Sequence, residues 1–204
     1  MSWPNRADQL RLLMPLLRGR SPVLDLGCGD GILLSLLKEA GETGTGVDLD
    51  PAAVDAGRAR GFDITRSDVL DFMGGASAGM YGAVVASHVL EHLPPSRVPG
   101  ILADCARILR PGGLLVLLTP NPRNIGVITR TFWGDLGHVR PYSLDLIVRL
   151  VGEAGLRVVS AGDDPYTRQP GFRRTLNLLR RLIVGDYWPG ADLKVVAEKT
   201  GPSR

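Results

Sequence analysis

Three glycines at alternate positions close an apolar run, Val23-Leu24-Asp25-Leu26-Gly27-Cys28-Gly29-Asp30-Gly31, and Ile32-Leu33-Leu34-Ser35-Leu36-Leu37-Lys38-Glu39-Ala40 follows at once. A short apolar run, a side-chain-free turn and a helix-forming segment spell strand, tight turn, helix. Bare glycine lets a ligand come close to the N–H groups that open such a helix. The stretch therefore predicts a docking place for something small and polar.

The same alternation continues along the chain. Thr45-Gly46-Val47-Asp48-Leu49-Asp50 reads as a second strand, and Pro51 starts a helix that Asp50 caps. Phe62 to Arg66 and Tyr81 to His88 read as strands three and four, with a glycine-rich loop over 74–80 between them. A helix is expected from Pro94 to Leu109, stopped by Arg110-Pro111-Gly112-Gly113. Leu114 to Leu118 is apolar throughout, as a strand buried on both faces reads. Strands alternating with helices at this spacing build parallel units with right-handed crossovers, hence an α/β, doubly wound sheet. Leu156 to Ser160 and Leu193 to Glu198 supply two more strands that pair antiparallel, giving a mostly parallel seven-stranded sheet with its last strand antiparallel.

At 204 residues the chain has room for one well-buried α/β domain, taken as 1–204. Within it, residues 6–18 form an amphipathic helix, part of a capping segment over 1–20. Residues 120–142 lack periodicity and read as a lid, and Ser143 to Ala154 is another amphipathic helix. Residues 165–190 hold a helical insert, Phe172 to Val184, whose arginines and leucines suit peripheral contact with an anionic membrane or, alternatively, a solvated face over a packed one. A net charge of +3 with scattered arginines is too weak to imply a nucleic-acid partner. Two cysteines, no signal-like opening and no apolar run of about 20 residues give a cytoplasmic expectation.

Doubly wound sheets bind beyond the carboxyl ends of their strands. A dinucleotide turn carries Gly-x-Gly-x-x-Gly, but the position of its third glycine is here Ile32, which counts against a nicotinamide cofactor. Four segments together, Val23 to Gly31, Gly46 to Asp50, His88-Val89-Leu90-Glu91-His92-Leu93 and Leu109 to Gly113, make the chain resemble the class I S-adenosylmethionine-dependent methyltransferases. The likeness is to the small-molecule group that includes ubiquinone O-methyltransferases, and it covers roughly residues 20–120. The fold it implies is Rossmann-like and the cofactor S-adenosylmethionine.

The resemblance implies that Asp25, Gly27, Cys28 and Gly29 hold the methionine end of that cofactor. It implies that Asp48 accepts from the ribose hydroxyls, Asp68 and Val69 read the adenine edge, Leu49 packs on its face, and Ser87 lines the floor near the sulfonium with His88. Cys28 reads as a small filler rather than a nucleophile. A hydroxyl acceptor benefits from a histidine base, and His88 or His138 is the candidate. No metal is expected, because His88 and His92 show no third ligand in the sequence. The lid resembles that of methyltransferases of bacterial glycan and lipid-linked biosynthesis, and Arg123, Trp133, Arg140 and Tyr142 are its candidate contacts to an anionic or sugar-like acceptor. The absence of an Asn-Pro-Pro-type motif after strand four disfavours methylation of nucleic-acid bases. Two functions follow: methyl transfer to a hydroxyl of a small molecule or glycan-type intermediate, or binding of the cofactor by a regulatory protein of the same fold that does no chemistry.

Overall fold

The structure is a computed structural model and describes residues 6–164 and 190–201. Seven strands form one sheet in the order β3-β2-β1-β4-β5-β7-β6. They are β1 (Val23–Leu26), β2 (Gly44–Asp48), β3 (Ile64–Arg66), β4 (Tyr81–Ser87), β5 (Leu109–Pro120), β6 (Leu156–Asp163) and β7 (Asp192–Lys199). β1 to β5 run parallel, and β7 lies antiparallel between β5 and β6, as the sequence patterning anticipates. The helices are α1 (Arg6–Arg11), α2 (Met14–Leu17), α3 (Ile32–Glu39), α4 (Pro51–Ala59), α5 (Val69–Gly75), α6 (Val98–Ile108) and α7 (Leu144–Glu153).

Side-chain alternation on the central strands sends residues into two cores. Leu115 and Leu117 of β5 join Leu24, Leu26 and Val84 against α6 and α7. Leu114, Val116 and Leu118 join Val23, Ala83 and Val85 against α1, α2 and α3. Each fully buried leucine of this kind stabilises the fold by about 1.5–3 kcal/mol.

Several boundaries differ from the sequence expectation. The helix expected over 6–18 is broken, α1 ending at Arg11 and α2 starting at Met14. Pro15 cannot donate to the preceding turn and its ring crowds the carbonyl four residues back, so the helix restarts around it. Leu10, Leu13 and Leu17 still face one core. The helix expected from Pro94 begins as a 3-10 turn, Pro95–Arg97, before α6. β5 is longer than the five residues expected: Tyr81 pairs with Leu109 and Ala83 with Leu114, so Arg110 to Gly113 bulge out of a strand that continues on either side. β3 starts at Ile64 rather than Phe62, whose ring packs beside Gly31. Asp50 caps α4 as expected, accepting from Ala52 N, and Ser143 caps α7, accepting from Leu146 N. The lid holds a π-helical turn, Val127–Thr131, and a 3-10 turn, Phe132–Gly134. The expected insert over Phe172 to Val184, with its membrane contact, lies outside the described residues.

Candidate functional site

The glycine turn after β1 sits at the carboxyl edge of the sheet, and four of its N–H groups are engaged within the protein. Gly27 N and Cys28 N both donate to Val47 O, Gly31 N donates to Cys28 O, and Gly29 N donates to Asp48 Oδ2 at 2.7 Å. An anion cradle needs such groups unengaged. The turn instead offers carboxylates and space: a Cβ built on Gly29 meets nothing within 4 Å, and φ there is +56°. That arrangement suits a nucleoside with a cationic end and disfavours a pyrophosphate, which supports the sequence argument from Ile32.

Around the turn, Asp25 on β1 is 3% exposed, and its pKa is pushed up to about 7 by burial. The positive charge of Arg6 opposes that rise and the negative charge of Asp48 adds to it. Arg6, at the start of α1, donates to Gly27 O at 3.3 Å, and sequence reading missed it because nothing local marks it. Asp48 holds both ends of its own loop, taking Gly29 N on Oδ2 and Asp50 N at 2.9 Å on Oδ1. Leu49 beside it is 62% exposed, an apolar side chain left open at the edge where a flat apolar face can rest. Asp68 caps α5 by accepting from Leu70 N at 2.7 Å, with Val69 as the first helical residue. Ser87, at the end of β4, keeps a buried hydroxyl with no hydrogen-bond partner among the described residues. Cys28 turns its sulfur into the core against Gly46, and burial pushes its thiol up to about 12. Any contribution from Cys28 to the site thus comes from its backbone.

A cavity of about 460 Å³ opens beyond β4 and β5. All three histidines of the chain, His88, His92 and His138, line it, together with Phe132, Asp135 and Thr131 from the lid. The two candidate bases are held in different ways. His88 has a left-handed backbone, φ 57°. Its Nδ1 lies 3.1 Å from Glu91 Oε1 and its Nε2 3.6 Å from Asp192 Oδ2. Burial alone would lower its pKa, but the hydrogen bonds and charges of Asp192 and Glu91 outweigh it and raise the value to about 10. The His88 ring thus turns one nitrogen to each of two carboxylates, Glu91 on one side and Asp192 on the other. His138 is held by a main-chain group and an acid: its Nδ1 lies 2.7 Å from Phe132 O, a pure acceptor, which places a proton on Nδ1, and its Nε2 lies 3.9 Å from Asp135 Oδ2. The ring stacks on Phe132 at 4.5 Å and meets His92 at 4.6 Å.

The remaining acceptor-side candidates fall outside the cavity lining. Trp133 is 62% exposed and edge-on to Phe132, Arg123 and Arg140 are exposed, and the Arg140 guanidinium sits 5.4 Å from the Tyr142 ring centre. Tyr142 itself is 2% exposed and belongs to the core packed on α7. The third partner that the sequence did not show beside His92 also exists: Glu91, His92 and His138 each bring one ligand-type atom within 4.8 Å of the others. Both oxygens of Glu91 are already engaged, Oε1 by His88 and Oε2 by Thr119 Oγ1 at 3.0 Å.

This strand order, a glycine turn after β1, and acids at or just past the ends of β1, β2 and β3 fit a nucleoside-binding α/β class, and the acid-rich turn fits S-adenosylmethionine. Comparison with known proteins agrees. A family model described as a methyltransferase domain matches residues 4–161. The chain is 33% identical over 123 residues to the ubiquinone biosynthesis O-methyltransferase of Xanthomonas oryzae pv. oryzae, a match covering 58% of this chain and 50% of the relative. It is 32% identical over 123 residues, with the same coverage of 58% and 50%, to the protein of that name from Bordetella avium. The chain thus spans about half the length of these curated relatives. Among solved structures, a SAM-dependent methyltransferase from Archaeoglobus fulgidus superposes with a TM-score of 0.80 at 24% identity, covering 95% of this chain and 93% of that one, a likeness of fold. The chain belongs to the methyltransferase domain family and carries an S-adenosylmethionine-dependent methyltransferase domain. No helix among the described residues is long and apolar enough to cross a membrane.

Proposed function

We propose that the protein methylates a hydroxyl group of a small-molecule or glycan-type biosynthetic intermediate, with His138 as general base. The observation that carries this reading is the placement of His138, whose Nδ1 is fixed on Phe132 O while the ring lines the cavity beyond β4 and β5. The shared likeness to two ubiquinone biosynthesis O-methyltransferases supports an oxygen acceptor. When bound, S-adenosylmethionine supplies a methyl group on a sulfonium that is already an activated leaving group.

The chain's own residues then align and desolvate. Asp25 meets the ammonium of the methionine end, with Gly27, Cys28 and Gly29 lining it through their backbone. Asp48 accepts from the ribose hydroxyls, Asp68 and Val69 meet the adenine edge, Leu49 covers its face, and Ser87 turns its unpaired hydroxyl to the floor. In the cavity, His138 Nε2 takes the proton of the acceptor hydroxyl as the oxygen–methyl bond forms. Arg123, Trp133 and Arg140 stand outside that cavity, where they can touch only the outer part of a long acceptor.

The test uses methyl-labelled cofactor with fractionated metabolite extract, following label into product. H138Q is expected to lower transfer by about 10²–10⁴-fold with cofactor affinity unchanged. Transfer at the wild-type rate in H138Q would reject the base assignment, and label in an amine product would reject the hydroxyl.

A further inference from the structure

A buried polar chain joins the N-terminal helix to the lid. Gln9 on α1 is 6% exposed, and its Nε2 donates to Asp192 Oδ2 and to Asp164 Oδ2, each at 2.8 Å. Asp192 faces His88 Nε2, and His88 Nδ1 faces Glu91, which is fully buried. The main-chain carbonyl of Glu91 then accepts the N–H of Val139 at 2.7 Å and of Arg140 at 3.3 Å. Those two residues follow His138 directly.

We propose that Gln9 and Asp192 are positioning residues: they hold His88 as a clamp protonated on both ring nitrogens, and the clamp fixes Glu91 and with it the lid segment that carries His138. A neutral imidazole has a lone pair on one nitrogen, and here that lone pair would point at a carboxylate. An imidazolium satisfies both acids at once. The groups facing His88 come from every side: Glu91 from the turn after β4, Asp192 from β7 with Asp164 and Lys194 behind it, and His92, His138 and Asp135 around the cavity. A neutral ring would leave either Asp192 or Glu91 facing a lone pair, and in the second case Glu91, fully buried, keeps only the Thr119 hydroxyl among the described residues. Gln9 also interrupts the apolar stripe of Leu10, Leu13 and Leu17, and a polar side chain facing a core has a place there only with partners such as these. The chain extends to the donor side, because Arg6 on the same helix bonds Gly27 O.

The experiment compares the full wild-type chain with D192N and Q9L, without acceptor. Imidazole nitrogen NMR at about pH 8 reads the protonation of each ring, and the chain's three histidines are assigned with H92Q and H138Q. Amide hydrogen exchange reads Val139 and Arg140 against Val47 and Val116. The expected result is a doubly protonated His88 in the wild type and a neutral one in D192N. Exchange at Val139 and Arg140 is then roughly tenfold faster in D192N, and faster to a lesser degree in Q9L, with Val47 and Val116 unchanged. A neutral His88 in the wild type overturns the proposal. So does unchanged exchange at Val139 and Arg140 in both variants, or an equal rise at Val47, which would mean a general loss of stability. If D192N fails to fold, the wild-type spectrum and Q9L decide.

Discussion

Asp48 Oδ2 accepts the Gly29 N–H at 2.7 Å, so the acid that ends β2 and the glycine turn that follows β1 are one unit. Replacing Asp48 by Asn removes the charge while keeping the size, and a charge-assisted hydrogen bond contributes about 1.5–3 kcal/mol. Calorimetry with S-adenosylhomocysteine should show binding weakened by about 10–100-fold in D48N. Unchanged affinity would remove Asp48 from the cofactor site.

Asp25 gives the site a pH dependence of defined sign. Its pKa is 3.8 unperturbed and about 7 in the fold. A raised carboxyl favours the folded state most at low pH, and that contribution is lost as pH rises from about 4 to about 7. The thermal midpoint of D25N, measured relative to wild type, should therefore climb across that window. An ammonium placed beside Asp25 favours its ionised form, so cofactor binding at about pH 6 should release a proton, visible as a dependence of the binding enthalpy on buffer.

For His88 the folded value, about 10, lies above the unperturbed 6.5. Its stabilisation is complete below about 6.5 and disappears as pH rises through about 10. The stability advantage of wild type over H88Q in urea unfolding should shrink steadily over that interval. A constant difference would show that His88 is not charged in the fold.

Two glycines should fail in opposite ways. A Cβ on Gly29 meets nothing within 4 Å, so G29A carries only the strain of its left-handed backbone, about 1–2 kcal/mol, while filling part of the open space beside the turn. A Cβ on Gly82 would lie 2.1 Å from Arg20 O, main chain that cannot step aside. G29A should fold and lose S-adenosylhomocysteine binding, and G82A should lose stability by more than the 1–3 kcal/mol of ordinary overpacking. Circular dichroism melts and calorimetry on the two variants separate the outcomes.

Much of the donor side was legible because it is local. The turn at Gly27 to Gly31, the cap Asp50 and the doubly buried β5 each announce themselves within a few residues, through glycine placement, capping chemistry or an unbroken apolar run. The break in the N-terminal helix was also readable, from Pro15 alone. The acceptor side was not local. Gln9, Glu91 and Asp192 come from the start, middle and end of the chain, and no spacing rule connects them.

The amino-acid sequence by itself determined the sheet, its antiparallel last strand and the class of donor, because periodicity, turns and strand-end acids are written in consecutive residues. Only the tertiary structure decided what surrounds each histidine. His88 and His138 are chemically identical side chains, and their difference lies in what other segments bring to their ring nitrogens: two carboxylates for one, a main-chain carbonyl and the Asp135 carboxylate for the other.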